Sequence, residues 1–438
     1  MATQTGTTHA TQLLMTDKYT LPQHDVDILR QLAERQVEIA QSPLNLERKA
    51  LWYKHDAGMD GRPMILAEVF GVRDQISPLP NSDLKCENSW SRGIEWLLRF
   101  QIYQFEVLKD DHVIEPYFNV GWSVQMSDYG VQPIEHTADN EGRMAGRRWD
   151  PPIQDLDKDF HKLHPRTYSV DREATLARKQ SLEKVFGDIL PVRIRGMFGM
   201  LPWTMGMTEP AMKLHGLENL MLSTLDNLEG VHRLMTLLRD DHIAYAEWLE
   251  EEGLLTLNNE NDYVGSGTIG YTHDLPQSGE RTGEPARLKD LWVLLESQET
   301  VGVGPKQFEE LFFPYQLSVA QKFGKCYYGC CEPVNKRWHI LKRIPNLARV
   351  SVSPWADEEF MAQALGSDIV YCRKPNPALI STEHFDEDWI RADIRNTLTI
   401  AKGCRIEIVM KDVHTLNNEP GRLPRWVQIA REEVDKMS

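Results

Sequence analysis

Two adjacent cysteines followed by a carboxylate, Cys330-Cys331-Glu332, close a short apolar run, Cys326–Gly329. A thiol acts as nucleophile or metal ligand only as the thiolate, so it needs a cation, a donor or a metal beside it. Other reactive types close similar runs. Glu296 and Glu299 stand at the end of Trp292–Gln298, Arg373 and Lys374 at the end of Ile369–Arg373, and Asp412 and His414 just after Ile406–Lys411. Thiolate, imidazole and carboxylate are the ligand types of zinc, and a catalytic zinc takes three of them and leaves a fourth position open. Cys330 or Cys331 with His414 and Glu299 makes such a set. Adjacent side chains point differently, so one of the two cysteines is expected to bind. Plainer roles stand beside these: a packed cysteine, a helix-capping Glu299, His414 as a general base or held beneath a loop, and Arg373 and Lys374 as substrate-carboxylate anchors or solvated charges.

These groups meet only if the runs that carry them are strands ending on one side. Eight such runs occur: Ile114–Val120, Val192–Met197, Leu254–Asn258, Trp292–Gln298, Cys326–Gly329, Arg349–Ser353, Ile369–Arg373 and Ile406–Lys411. Most are rich in β-branched or aromatic residues, as buried parallel strands are. Helical segments are predicted between them at Glu218–Glu252 (two helices parted near Gly230), Pro305–Phe323, Asp357–Leu365, Trp389–Ala401 and Leu423–Lys436. The alternation predicts an α/β fold, a (β/α)8 TIM barrel whose chemistry sits at the C-terminal strand ends. Ahead of it, Asp25–Ala40 and Trp90–Leu108 read as amphipathic helices, with Met64–Phe70 a candidate strand between them. The expected organisation is a tail over 1–24, a helical cap over 25–112 and the barrel over 113–438. Long insertions at 121–190 and 259–290, the latter with Gly265-Ser266-Gly267, fall on the catalytic face. Trp122, Phe198, Trp203, Asn258, Trp355 and Arg373 then line the mouth as substrate-binding residues. Met197, Met200, Met205 and Met207 add a soft apolar wall.

Composition narrows the class. The net charge is −16 with no basic cluster, which argues against a nucleic-acid partner. No run of apolar residues is long enough to span a bilayer, and no leader pattern opens the chain, so membrane association is not expected. The 6 cysteines are uneven in a chain of 438 residues, which fits a reducing cytoplasm rather than a disulfide framework. No GxGxxG follows an early strand and no GxxxxGK[ST] occurs, so the dinucleotide and P-loop classes lose support.

The stretch Gly304–Pro333, reading GPKQFEELFFPYQLSVAQKFGKCYYGCCEP, resembles the uroporphyrinogen decarboxylase superfamily. That family has a SPxxFEEFxxPY helix leading into a strand that ends, in its methyltransferase branch, in an HxCG-like motif. Val350–Trp355 resembles the following strand, and Lys374-Pro375-Asn376-Pro377 the family's GNxxP turn. The resemblance covers roughly residues 90–438 and is strongest from 290 onward. It implies a (β/α)8 barrel and one of two activities. The RQAGR-type motif of the true decarboxylases is absent, with only Gly146-Arg147-Arg148 in its place. The methyltransferase branch keeps a metal-binding Cys where Cys330 or Cys331 stands. Its preceding His is replaced by Tyr328 or Gly329, and its last Cys by the Lys411–His414 segment.

What the resemblance implies is a zinc-dependent methyltransferase that moves a methyl group from a small methylated substrate, aromatic or not, to a corrinoid carried by a partner protein or to a thiol. Zinc would act as Lewis acid, held by Glu299, Cys331 (or Cys330) and His414. Asp412, Glu332 and Lys374 are the catalytic candidates, the first two for proton transfer. A homodimer is in keeping with the family. The competing expectation is a metal-free decarboxylase or lyase, in which Arg373, Lys374 and Arg195 hold carboxylates and Asp412 or His414 supplies the proton. A non-catalytic corrinoid or tetrapyrrole carrier ranks last, because no DxHxxG pattern is present.

Overall fold

A computed structural model describes residues 19–59, 61–137, 147–198, 205–276 and 285–437. The chain divides into two compact units. One is built from Met1–Ala50, Arg73–Gln125 and Ser169–Leu201, the other from Leu51–Val72, Met126–Tyr168 and Pro202–Ser438.

In the first unit the helices Gln23–Ala40, Ser89–Tyr103 and Arg172–Phe186 accompany a three-stranded sheet. Its order is β5 (Tyr168–Asp171), β2 (Phe118–Met126), β6 (Val192–Phe198). Leu29, Ala33, Ile94, Leu98, Phe118, Phe186 and Val192 share one core. The apolar positions of the two predicted amphipathic helices are what bury there. Polar groups fix the helix start: the buried Asp25 carboxylate accepts from the backbone N–H of Glu87 (2.9 Å) and Asn88 (3.0 Å) and from the Ser91 hydroxyl.

The second unit carries a six-stranded sheet. Its strands are β1 (Met64–Ala67), β9 (Trp292–Leu295), β10 (Lys325–Tyr328), β11 (Leu347–Val352), β12 (Val370–Arg373) and β13 (Ile406–Met410), in the order β1-β13-β12-β11-β10-β9. Every pairing is parallel. From β9 to β13 each strand lies beside the next in sequence without reversal, which is single winding, not a doubly wound sheet. Two hairpins, β3 (Ile134–Thr137) with β4 (Arg147–Asp150) and β7 (Tyr263–Gly265) with β8 (Thr268–Ile269), fall in the two expected insertions.

The α/β class is therefore observed, but a closed eight-stranded barrel is not among the described ladders. Two differences from the strand count have physical causes. Leu254–Asn258 forms no ladder; instead the Asn258 side chain imitates a peptide group, its amide donating to Trp292 O (3.1 Å) and its oxygen accepting from Trp292 N (2.9 Å). Met64–Ala67, read as an isolated candidate strand between two helices, is fully buried and pairs along β13. The predicted helix Pro305–Phe323 is broken into Pro305–Leu311 and Phe313–Ala320, because Pro314 offers no N–H to a continuing helix. The long segment parts at Asn227 into Leu217–Asp226 and Leu228–Glu251, where the Asn227 side chain accepts from Gly230 N. Among the described residues no helix is long and apolar enough to cross a membrane.

The strand starts of the six-stranded sheet are held by a buried ion network. Arg349, fully buried, lies 3.2 Å from Asp56 and 3.4 Å from Glu407 and donates to Ile269 O at 2.6 Å. Lys325 reaches the other Asp56 oxygen at 2.8 Å, and His55 lies 3.3 Å from Glu407. Burial opposes the charge on Glu407, but Arg349 outweighs it and holds the carboxyl far below its ordinary range. The stabilisation is therefore present above the unfolded carboxyl value and is lost as pH falls toward the folded one. Removing one member of such a buried set strands its partners. Arg349→Met should destabilise the second unit by about 3–5 kcal/mol, read as a lowered urea midpoint, with a smaller difference from wild type in acid.

Candidate active site

In a strand, side chains alternate faces with period two. The register places Leu294 beside Tyr327, Ser351 beside Cys372, and Cys372 beside Glu407. Following the alternation to the C-terminal ends brings Glu296, Lys374, Lys411 and Glu68 onto the same face of the sheet. The ladder runs on past the strands, since Glu68 N donates to Met410 O, Gly329 N to Leu295 O and Lys374 N to Val352 O.

Cys330 is the centre of the cluster. Its sulfur lies 3.6 Å from each of three groups: the Lys411 ammonium, the Ser266 hydroxyl and the Cys331 sulfur. Lys411 also donates to Ser266 Oγ at 3.1 Å. Ser266 is placed there by the tight β7–β8 hairpin. Gly265 can only be glycine, since a Cβ would meet the Tyr327 ring at 2.4 Å, and Gly267 adopts φ +88°. The hairpin is anchored by Tyr263, whose hydroxyl donates to Glu68 (3.0 Å) and accepts from Gly267 N (2.8 Å). The turn after β10 is set by Gly329 at φ +98° and by Glu332. The Glu332 carboxylate accepts from Ser297 N (2.9 Å) and Cys330 N (2.8 Å).

These surroundings separate the two thiols. The bond with Cys331 and the Lys411 charge lower the Cys330 thiol to about 7, against the effect of burial. The Cys331 thiol is pushed far up by the same bond to Cys330 and by burial, and it donates to Asp412 Oδ2 at 3.2 Å. Lys411 stays charged although it is buried, because the Cys330 thiolate, Glu68, Tyr263 and Asp412 surround it. Glu296 is raised well above its ordinary value by burial and by the neighbouring Glu299 and Glu332 charges. Burial raises Glu332 as well.

The expected residues divide by position. Cys330, Cys331, Asp412 and Glu332 come together. Glu299 turns toward the start of helix Thr208–His215, accepting from Thr208 Oγ1 at 2.6 Å. His414 is exposed beside Gly71. Lys374 is buried with its ammonium 2.8 Å from Cys372 Sγ and 5.7 Å above the Tyr327 ring. Arg373 points the opposite way, as alternation requires, and pairs with Glu358 (2.8 Å) and Asp393 (3.5 Å) on the flanking helices. Asn258 sits at the start of β9, the end away from the thiols. Trp355 is 67% exposed. Trp122 belongs to the first unit, where Arg172 lies 5.5 Å over its ring. Of the soft wall, Met205 and Met207 are buried. Trp203, Met200 and the side chains of Met197 and Phe198 lie outside the described residues, as does the tail up to residue 18.

The expected zinc set is not assembled: among the described residues, no three His, Cys, Asp or Glu side chains gather as a metal site. The nearest approach is Cys330, Cys331 and Asp412, and there Lys411 Nζ lies 3.6 Å from Cys330 and 3.7 Å from Asp412. A divalent cation would meet an ammonium that already neutralises the thiolate, so these residues do not fit zinc and no step is assigned to it.

Sequence reasoning left Lys411, Glu296, Glu68, Tyr263 and Ser266 without roles. Glu296 and Lys411 were visible as strand-end groups, and the signal for Ser266 was its pair of flanking glycines.

No family model matches the chain, and no curated protein matches it. Among solved structures, a methyltransferase from Methanosarcina mazei superposes with a TM-score of 0.48 and 10% identity, covering 89% of this chain and 98% of that one.

Alkylation by iodoacetamide should strike Cys330 before Cys331, with a rate rising through a midpoint near 7. Lys411→Met removes the cation that favours the thiolate, so the midpoint should move up toward an ordinary thiol at about 8.5. A midpoint that stays put would remove Lys411 from the account.

Proposed function

We propose that this protein is a methyltransferase-type enzyme in which the Cys330 sulfur takes the methyl group of a small methylated compound. The observation that carries this is the convergence of Lys411, Ser266 and Cys331 on one sulfur, each at 3.6 Å. Two donors, Lys411 and Ser266, on a partly exposed cysteine prepare a nucleophile, where a merely packed thiol would have apolar neighbours. The sulfur lone pair forms the S–CH3 bond while the carbon–heteroatom bond breaks and its electron pair leaves with the heteroatom. Glu296, whose carboxyl burial pushes toward the acid form, is the group assigned to give the proton that neutralises the departing group. Glu332 is a positioning residue, holding the Cys330 backbone and the end of β9 together through its two oxygens. The onward acceptor in this reading is a soluble thiol or a corrinoid carried by a partner protein. The decarboxylase reading is weaker because Arg373, its expected carboxylate anchor, is engaged with Glu358 and Asp393.

Isotope-labelled methanol, methylamines and methoxyaromatics, offered one at a time, test this. One of them should add its labelled methyl group, about 14 Da plus the isotope increment, to the peptide holding Cys330, and Cys330→Ser should lose about three or more orders of magnitude in demethylation rate. Turnover that survives Cys330→Ser, or label on another residue, would overturn the assignment.

A further inference from the structure

We propose that Cys330 and Cys331 form a hydroperoxide-responsive dithiol, in which oxidation of the Cys330 sulfur is followed by closure to a Cys330–Cys331 disulfide that withdraws the nucleophile. The proposal concerns a modification of the two sulfurs and stands apart from methyl transfer, since it needs no methylated substrate.

The geometry separates this pair from the other cysteines. Cys86, Cys326 and Cys372 are buried, whereas Cys330, Cys331 and Cys404 are partly exposed, and of these Cys330 and Cys331 have their sulfurs together while Cys404 donates to Ala362 O. Their sulfurs are 3.6 Å apart and have to come about 1.5 Å closer to reach the S–S bond length of about 2.05 Å, which between adjacent residues takes a shift of the intervening peptide as well as rotation of both side chains. Each partner of the pair has the neighbour its step requires. Lys411 and Ser266 stand on Cys330 and can stabilise the anionic charge that moves off the sulfur. Asp412 Oδ2 accepts from the Cys331 thiol at 3.2 Å and is held there by the left-handed backbone of Asp412 (φ +57°).

The steps balance. The Cys330 thiolate attacks the distal oxygen of a hydroperoxide; an S–O bond forms, the O–O bond breaks, and the alkoxide or hydroxide leaves and takes a proton from water. The sulfur is oxidised to sulfenic acid and the peroxide is reduced. The Cys331 thiol then gives its proton to Asp412 and its sulfur attacks the Cys330 sulfur. The S–S bond forms, the S–O bond breaks, and hydroxide leaves with the proton from Asp412 as water. An external dithiol reverses the change. Without the resolving thiol the sulfenic acid persists and is open to irreversible oxidation.

The test is hydrogen peroxide applied to the full-length protein, followed by mass spectrometry with and without the sulfenic-acid probe dimedone. Wild type should lose about 2 Da in the peptide that holds both cysteines, recover it with dithiothreitol, and take no dimedone. Cys331→Ser should gain about 16 Da, take dimedone at Cys330 and progress to sulfinic acid. Asp412→Asn should still close, but slowly enough to be trapped by dimedone on the way. If Cys331→Ser does not fold, the wild-type and Asp412→Asn readouts decide alone. Wild type that accumulates dimedone-reactive or sulfinic Cys330, or a disulfide joining other cysteines or other chains, would overturn the proposal.

Discussion

A guanidinium that is fully buried has to be neutralised where it stands, and in the second unit Arg349 is neutralised by carboxylates from well-separated parts of the chain. Asp56 ends the helix Pro43–Asp56 and Glu407 lies near the start of β13. Arg349 sits in β11, so this one charge ties an early helix and the last strand to the middle of the sheet. The desolvation of three or four charges is large, and only a fixed geometry offsets it. The strand register is therefore specified at one end by electrostatics, and the reactive end inherits the alignment.

What the reactive end receives is an alternation. Glu407 and Lys411 lie four residues apart on one strand and share a face, so the strand that presents a carboxylate to Arg349 presents an ammonium to Cys330. The adjacent residue Arg373 shows the same rule with the opposite result. One step out of phase with Lys374, it serves the helix layer and is lost to the site. A strand-end position thus says little about chemistry until its parity is known.

That parity explains what was legible in the sequence. The helices of the first unit and the late strands follow from local pattern, the grouping of Cys330, Cys331 and Glu332 from their adjacency, and the place of Asp412 beside them, 81 residues on, from both segments being strand ends of one sheet. Glu68 and Ser266 do not, because one follows a candidate strand whose place in the sheet only its pairing with β13 reveals and the other belongs to a two-residue hairpin turn. Leu254–Asn258 has the composition of a strand, yet it forms no ladder and meets β9 through the single amide side chain of Asn258. The zinc set failed for a reason that residue types alone hide: the same strand end that offered Asp412 and His414 also placed a cation, Lys411, against the thiol.

The side-chain pairing of Asn258 has a further consequence for how the protein behaves in concentrated solution. β9 is an edge strand of the six-stranded sheet, and the groups it turns outward include the N–H and C=O of Trp292 and the C=O of Leu294. Asn258 occupies the first two, and Met205 N donates to the third at 3.0 Å. An unsatisfied border is a template on which a foreign strand can add and start aggregation. Here much of that template is taken up from within the chain, by groups that supply hydrogen bonds without offering a new strand to extend.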